Sequence, residues 1–137
     1  MHISADTLRK ELFPVPQYDK TASKIVWEAC VSQAQQSMAD GKTVVWDAVF
    51  GHEHRRQEVR EIAQEYRYGT VFLYVFCGND MNIKTRLDAR TDNASDADYS
   101  VYCALKNSFQ SPEAESTIFI DNSSDLESLY AQVLQKL

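Results

Sequence analysis

Glycine is scarce in this sequence, which holds only four glycines, at positions 41, 51, 69 and 78. Because they are scattered, the sequence contains no G-x-x-x-x-G-K-[ST] stretch, the loop whose backbone N–H groups cradle phosphates. Cysteine is also rare, since Cys30, Cys77 and Cys103 are odd in number, widely spaced and set in apolar patterns. We therefore expect reduced cysteines in the core, not a disulfide framework or a zinc site.

Long apolar runs and an excess of basic residues are missing as well. No run approaches the roughly 20 apolar residues of a membrane-spanning helix. The first residues, Met1 to Asp6, lack the basic and apolar regions of a signal peptide. These features predict a cytoplasmic protein without membrane affinity. The 14 basic residues are outnumbered by 20 acidic ones, and the net charge of -6 argues against a nucleic-acid partner.

The chain has the length and composition of one globular domain with a sizeable core: 137 residues, of which 44% are apolar and 25% charged. Strand patterns alternate with helical patterns, which predicts a single α/β domain over residues 1–137 with a mainly parallel sheet. Strands are predicted at the tail Ile3 to Ser4, at 42–49, 70–77 and 117–120, and helices at 5–13, 20–40, 53–66, 81–90, 97–109 and 126–137.

Apolar residues at helical spacing predict which helix faces are buried. The unbroken apolar run 70–77 predicts a strand covered on both faces. On the third helix the charged residues, Arg56 among them, are assigned to a solvated face. The predicted buried stripes are Trp27, Cys30, Val31, Ala34 and Met38; Val59, Ile62, Ala63 and Tyr66; Val101, Ala104, Leu105 and Phe109; and Leu126, Leu129, Tyr130, Val133, Leu134 and Leu137.

Asp47 is the first candidate site residue. It lies toward the far end of the predicted strand 42–49, and a charged segment of helical period follows that strand. In an open α/β sheet, ligands bind outside the carboxyl ends of the strands, which places Asp47 in the crevice where chemistry is usually done. The alternative is that Asp47 caps the turn that follows.

Two further pairs of charged residues share a predicted helix face. Asp6 and Arg9 are three residues apart on the first helix, and the alternative for them is a capping carboxylate beside a solvated arginine. Arg86 and Arg90 are four residues apart and face the same way. Because two arginines on one face repel each other, a shared anion is a hypothesis for this pair, and two solvated side chains are the alternative.

The triplet His52, Glu53 and His54 gives a weaker candidate, a metal site. Two histidines two residues apart can reach one metal from a strand, but on a helix they diverge, and no distant third ligand is evident. A solvated loop is the favoured interpretation.

In order and spacing, the chain resembles the small P-loop kinases of the polynucleotide-kinase and zeta-toxin type and the bacterial ATP-binding proteins grouped with them. The resemblance covers nearly the whole chain, from Ser4 onward. The matching pieces are Ser4-Ala5-Asp6-Thr7-Leu8-Arg9-Lys10-Glu11-Leu12-Phe13; Val44-Val45-Trp46-Asp47-Ala48-Val49-Phe50 with Arg55-Arg56; Arg86-Leu87-Asp88-Ala89-Arg90; and Ala94-Ser95-Asp96-Ala97.

This resemblance implies a three-layer parallel-sheet fold, Mg²⁺ and ATP as cofactors, and transfer of a phosphoryl group to a hydroxyl of a small molecule or nucleotide. Asp6 would accept the hydroxyl proton, Asp47 would help to hold Mg²⁺ through water, and Arg90, in a lid helix, would contact the transferred phosphoryl group. The implied roles are therefore catalytic for Asp6 and Arg90, substrate-binding for Arg9, Arg55, Arg56 and Arg86, and metal-binding for Asp47.

The sequence departs from this family by lacking the first strand and the glycine-rich Walker A loop that follows it. In the resembled fold that strand lies in the middle of the sheet, so strands 42–49 and 70–77 would lose their shared neighbour, and an unpaired buried edge is costly. We expect one of three outcomes: the two strands pair directly, a second copy or a partner chain supplies the strand, or the protein starts upstream of Met1.

Two classes of function follow from the resemblance and the departure. The first is an ATP-dependent phosphotransferase, incomplete or inactive without its Walker A loop. The second is a non-catalytic P-loop-kinase-like module that serves as a binding or assembly partner. Retention of Mg·ATP binding would favour the first class. In such enzymes the missing loop supplies most of the triphosphate binding, so we expect little ATP turnover by the isolated chain.

Overall fold

The computed structural model describes residues 1–91, 95–112 and 117–136. Their contacts form two compact units: unit 1 holds residues 1–50, 54–69, 95 and 96, and unit 2 holds residues 51–53, 70–91, 97–112 and 117–136. The elements are β1 (His2–Ser4), α1 (Ala5–Leu12), α2 (Lys20–Ala39), β2 (Val45–Asp47), α3 (Glu53–Glu65), β3 (Phe72–Phe76), α4 (Asp80–Asp88), α5 (Tyr99–Ser108), β4 (Thr117–Asp121) and α6 (Leu126–Lys136).

Unit 1 is built on a parallel pair of short strands, β1 and β2. Ser4 ends β1 and also caps α1, because its side chain accepts a hydrogen bond from the Thr7 N–H. The chain therefore turns directly from the strand into the helix. Leu8 is buried and holds α1 against the core, and α1 stops at Leu12, two residues before Pro14.

Helix α2, with 20 residues, is the longest helix of unit 1. The Asp19 carboxylate caps its first turn by accepting hydrogen bonds from Thr21 and Ala22 N–H at 2.8 and 3.0 Å. Gly41 follows its last turn with a φ of 75°, the left-handed conformation expected after a helix C-terminus. The buried face is turned slightly from the predicted stripe, because Val26 is buried where Trp27 was expected and Trp27 is half-buried.

The core of unit 1 brings together residues from β1 and all three of its helices. Its buried members are Ile3, Leu8, Val26, Cys30, Ala34, Met38, Ile62 and Ala63. Cys30 is a free, fully buried thiol, as predicted, whereas the free Cys77 and Cys103 are half-buried. Burial raises the pKa of the Cys30 thiol, which marks it as a packing residue and not a reactive one.

Unit 2 is built on a second parallel pair, β3 and β4, in which Phe72 lies opposite Thr117 and Phe76 opposite Asp121. Helix α6 packs against β4, and the Gln132 side chain hydrogen-bonds both the N–H and the carbonyl of Asp121. Asp125 caps α6, because its side chain accepts a hydrogen bond from the Ser128 N–H at 2.8 Å.

Several predicted buried faces in unit 2 are exposed. Leu73 and Val75 on β3 are 45% and 53% exposed, so cover on both faces of this strand was a wrong prediction. The reason is that β3 belongs to a two-stranded sheet, and α6 packs against β4. The stripes assigned to α5 and α6 are also largely exposed, at Val101, Ala104 and Leu105 and at Leu126, Tyr130 and Leu134, while Leu137 lies outside the described residues.

The fold class predicted from the sequence is confirmed: alternating strands and helices form a mixed α/β structure with parallel strand pairs. The predicted outcome in which strands 42–49 and 70–77 pair directly is not found, since within the described residues β2 pairs with β1 and β3 pairs with β4. In the same residues no helix combines the length and apolarity needed to cross a membrane.

Candidate functional site

The carboxyl end of the first sheet brings two predicted site residues together. Strands β1 and β2 run parallel, with Ser4 directly opposite Asp47. Asp6 lies two residues beyond Ser4, in the first turn of α1. Both carboxylates thus belong to the same sheet edge, beside the N-terminus of α1, whose partial positive charge favours anions. Asp47 is exposed and Asp6 is half-buried, so both can be reached from solvent.

Arg9, the third predicted residue on this edge, lies one helical turn after Asp6 and is fixed by the loop that follows α1. Its Nη1 donates to the Gln17 carbonyl at 2.6 Å, and its guanidinium lies 4.8 Å from the centre of the Tyr18 ring. The arginine is therefore held by a charged hydrogen bond and a cation–π contact, and its orientation is set before any ligand arrives.

Tyr18 in turn contacts an acidic residue far along the chain. Its hydroxyl donates to the Asp96 carboxylate, and this hydrogen bond, followed by partial burial, raises the pKa of Tyr18 to about 12. Lys10 pairs with the other oxygen of Asp96 at 2.9 Å. The hydrogen bonds from Tyr18 and Lys10 lower the pKa of Asp96, so this carboxylate is ionised throughout the neutral range.

Beyond β2, three aromatic rings pack around the strand end. The centres of the Trp27 and Trp46 rings are 4.9 Å apart, and Phe50 meets both rings edge-on at 6.0 and 5.7 Å. Arg56 fixes the loop that carries Phe50, because its Nη1 donates to the Phe50 carbonyl at 2.6 Å. Arg56 is only 2% exposed, so its assignment to a solvated helix face was wrong.

Arg55, the neighbour of Arg56, has a different environment. Its guanidinium lies 4.2 Å from the centre of the Trp27 ring, and Nη1 pairs with Glu58 Oε2 at 2.9 Å. The other Glu58 oxygen accepts from the Trp27 indole N–H at 2.9 Å. Glu58 therefore locks arginine and indole against each other, while the Arg55 side chain stays 32% exposed.

The remaining two arginines belong to unit 2. Arg86, on α4, donates to the carbonyls of Asn122 and Ser124, so it ties the helix to the loop after β4. Helix α4 ends at Asp88 with Ala89 as its C-cap, because the Ala89 N–H returns to the Thr85 carbonyl. Arg90 thus lies outside the helix, and the prediction that it shares a helix face with Arg86 was wrong.

The candidate metal ligands at the carboxyl end of β1 and β2 are carboxylates. Carboxylates such as Asp47 and Asp6 are the ligands that Mg²⁺ prefers. Within the described part of the chain, no group of three His, Cys, Asp or Glu side chains could together enclose a metal ion. A cation at this edge would therefore need water or substrate oxygens to complete its coordination, as Mg²⁺ commonly does.

Sequence reasoning missed four side chains that organise this edge: Tyr18, Asp96, Trp27 and Glu58. Tyr18 and Asp96 are 78 residues apart, so no local spacing links them. Trp27 was read only as a core residue. Arg55 and Glu58, three residues apart on a helix, did carry a signal, because such a spacing predicts an ion pair.

Comparison with known proteins shows the family to which the sequence belongs. The model of the AAA domain family matches residues 1–112. The chain belongs to the AAA domain family. Among solved structures, this AAA domain is similar to a gluconokinase from Sinorhizobium meliloti 1021, with a TM-score of 0.65 and 18% sequence identity over 98% of this chain and 74% of that chain. At this identity the likeness shows a P-loop kinase-like fold alone. No curated protein sequence matches the chain.

Proposed function

We propose that this AAA domain contributes the acceptor side of a kinase-like phosphotransferase site at the carboxyl end of β1 and β2. One observation carries the proposal: the parallel register sets Ser4 opposite Asp47, so Asp47 and the Asp6 turn share one sheet edge. Kinase-like P-loop proteins generally use ATP and Mg²⁺, and phosphoryl transfer needs a proton acceptor, a metal anchor and cationic groups around the phosphates.

The residues of unit 1 fit these tasks. Asp6 is the proposed proton acceptor for the substrate hydroxyl, because it is half-buried at the positive end of α1. Asp47 is the proposed Mg²⁺ anchor, acting through water, and Arg9 is proposed to bind an anionic group of the acceptor. Of the two arginines on α3, Arg55 is the better substrate ligand, since the Arg56 guanidinium is buried against the Phe50 carbonyl.

For Arg86 and Arg90, which belong to unit 2, we propose only the roles that the family resemblance implies, contact with the anionic substrate and with the transferred phosphoryl group. Arg90 is exposed, as a residue that contacts a phosphoryl group would need to be, but it lies beyond the last turn of α4 and not in the helix that the resemblance implies. Arg86 is exposed too, but its guanidinium already serves two backbone carbonyls. The order of these motifs supports placement in the polynucleotide-kinase and zeta-toxin-like group.

The acceptor that we propose is a small molecule or nucleotide with a free hydroxyl and an anionic group. A gluconokinase has this fold, which makes gluconate the first acceptor to test. The strongly acidic balance of the chain, with a net charge of -6, argues against a nucleic-acid acceptor.

The residues present fit the metal side of the cofactor better than its triphosphate. Asp47 offers an exposed carboxylate, but the sequence contains no glycine-rich Walker A loop to cradle phosphates. The Gly41 and Gly78 N–H groups are already used, in bonds to the Met38 carbonyl and to Ser123 Oγ. We therefore expect weak ATP binding by this chain, and turnover that needs a completing partner.

A non-catalytic module is the second candidate, and the sheet topology favours it. Within the described residues β2 bonds only β1, and β3 bonds only β4, so each sheet has two strands. Two-stranded sheets are marginal by themselves, and a second copy or a partner chain that added a strand would stabilise them. Such a chain would function by binding a second copy or a partner chain. We propose that residues 1–137 form a single kinase-like domain in either case.

Thermal denaturation with and without millimolar Mg·ATP tests the proposed function. A ligand present at about 100 times its dissociation constant adds roughly 2.7 kcal/mol to the free energy of unfolding and raises the midpoint. We expect a smaller, concentration-dependent rise with the native chain and none with Asp47→Asn. The matched control is Asp88→Asn, which removes a carboxylate charge from the surface of α4 and should leave the rise intact.

Equal midpoint shifts with Mg·ATP in the Asp47→Asn and Asp88→Asn chains would show that Asp47 does not help to bind the metal. A cooperative unfolding transition that Mg·ATP does not move at all would favour the non-catalytic module. If Mg·ATP raises the midpoint, adding gluconate to Mg·ATP and following ADP release would test the acceptor.

A further inference from the structure

The carboxylate of Asp96 is held by two side chains at once. Lys10 Nζ lies 2.9 Å from Oδ1, and the Tyr18 hydroxyl donates to Oδ2. One donor per oxygen is the arrangement in which a protein binds a free carboxylate. The donors come from α1 and the loop after it, whereas Asp96 comes from a distant part of the chain, so the two donors form a site and Asp96 is its occupant.

Arg9 extends this pair of donors toward the proposed acceptor site. Its guanidinium packs on the Tyr18 ring, and its Nε is a buried nitrogen that lacks a hydrogen-bond partner. A buried donor without a partner is costly, and a bound anion would relieve that cost. Asp6 lies four residues before Lys10 on α1, so these two side chains share one face of the helix.

We propose that Lys10 and Tyr18, beside Arg9, form a binding site for a substrate carboxylate, and that Asp96 occupies this site in the free protein as an internal competitor. The inference rests on the proposed function, because it is the acceptor that would bring the carboxylate. A ligand carboxylate displaces Asp96, accepts from Lys10 and Tyr18, and places its neighbouring hydroxyl beside Asp6.

The exposure of the cluster makes such displacement feasible. The side chains of Lys10 and Asp96 are 38% and 43% exposed, and Tyr18 is 56% exposed. Solvent-exposed ion pairs are weak, so breaking the Lys10–Asp96 contact costs little free energy. The two-oxygen, two-donor geometry favours a planar carboxylate over a tetrahedral phosphate, which offers three oxygens and usually binds where several N–H groups converge.

The test is a titration of the full chain with lactate, a simple hydroxy acid, followed through the ¹H–¹⁵N chemical shifts of Lys10 and Tyr18. No nucleotide is present. Removing the competitor with Asp96→Ala should tighten lactate binding roughly tenfold, the effect expected of one exposed ion pair plus one charged hydrogen bond. Adding Lys10→Ala or Tyr18→Phe to Asp96→Ala should abolish most of that gain.

The matched control is Glu28→Ala, which removes an exposed carboxylate paired with Lys24 and so changes the net charge equally. Its lactate affinity should equal that of the native chain. If Asp96→Ala does not unfold cooperatively, Asp96→Asn replaces it in the comparison with Glu28→Ala. We expect a smaller increase in lactate affinity for Asp96→Asn.

Lactate binding by Asp96→Ala no tighter than by Glu28→Ala would overturn the proposal. A gain for inorganic phosphate as large as that for lactate would overturn the assignment to carboxylates. Because the titration contains no ATP, its failure is distinct from a failure of the Mg·ATP experiment, and either can succeed without the other.

Discussion

Arg56 and Arg55 are neighbours in the sequence with opposite environments. Arg56 is buried and donates to the Phe50 carbonyl, whereas Arg55 lies on the Trp27 ring and remains partly exposed. The sequence offered both as substrate ligands, because both are long cations after a strand end. Only their environments in the folded protein separate them.

Replacing Arg56 by alanine should therefore destabilise the protein. The Phe50 carbonyl would lose its buried, charged donor, at a cost of about 2 kcal/mol in the free energy of unfolding. Arg60→Ala, on the same helix, serves as the control and should stay within about 0.5 kcal/mol of the native value. Urea unfolding measures both variants, and equal effects would show that the Arg56 contact contributes nothing special.

The predictability of the site differs among its residues. Asp47 and Asp6 could be proposed as site residues from the sequence because they stand at a strand end and a helix start, and Arg9 because it shares a helix face with Asp6. Tyr18 and Asp96 could not be found that way. Their contact depends on how a loop and a segment 78 residues later fold back on one helix.

Helix α2 shows how local signals can define an element completely. A capping aspartate opens it, apolar residues at helical spacing run through it, and Gly41 closes it with a φ of 75°. All three signals agree, and the observed bounds, Lys20–Ala39, match the predicted ones within a residue. The strands were predicted too long, because an apolar run continues past the last residue that finds a pairing partner.

Gly41→Ala should destabilise α2 through backbone conformation alone. No atom lies within 4 Å of an added Cβ at this position, so any loss arises from the left-handed φ. We expect a cost of about 1 to 2 kcal/mol. Gly69→Ala is the matched control, because it also meets no atom within 4 Å and has no left-handed φ. Urea unfolding that ranks Gly69→Ala as the more destabilising variant would contradict this account.

Helices α5 and α6 mark the limit of such reasoning. Their apolar spacing is genuine, but Val101, Leu105, Leu126 and Leu134 are exposed. Periodicity states which residues share a face, and it does not state whether another element covers that face.

The balance of charge across both units predicts how stability depends on pH. Five aspartates have pKa values below their ordinary value of 3.8, each because of a hydrogen bond or ion pair in the folded state: Asp40, Asp80, Asp96, Asp98 and Asp125. A carboxylate with a lowered pKa contributes stability that is complete above its unfolded value and is lost as the pH falls through its folded value.

The free energy of unfolding should therefore change little between pH 7 and about pH 5 through these groups and decrease below about pH 4. Tyr18 gives the opposite limb, since its pKa is raised to about 12 and its contribution is lost as the pH rises from about 10 toward that value. Urea titrations across this range measure both limbs. Asp98→Asn keeps the cap of α5 but removes one titrating group, so its acid limb should be shallower. Stability that is flat down to pH 3 would contradict the assignment.

The amino-acid sequence was sufficient for several features that depend on near neighbours: the alternation of strands and helices, the bounds of α2, and the positions of Asp47 at a strand end and Asp6 at a helix start. Those features arise from backbone and side-chain preferences within a few residues. Folding in three dimensions decided which apolar faces are covered, which of two adjacent arginines is buried, and that Asp96 meets Lys10 and Tyr18. Such outcomes depend on contacts between distant segments, and those contacts carry no local periodicity.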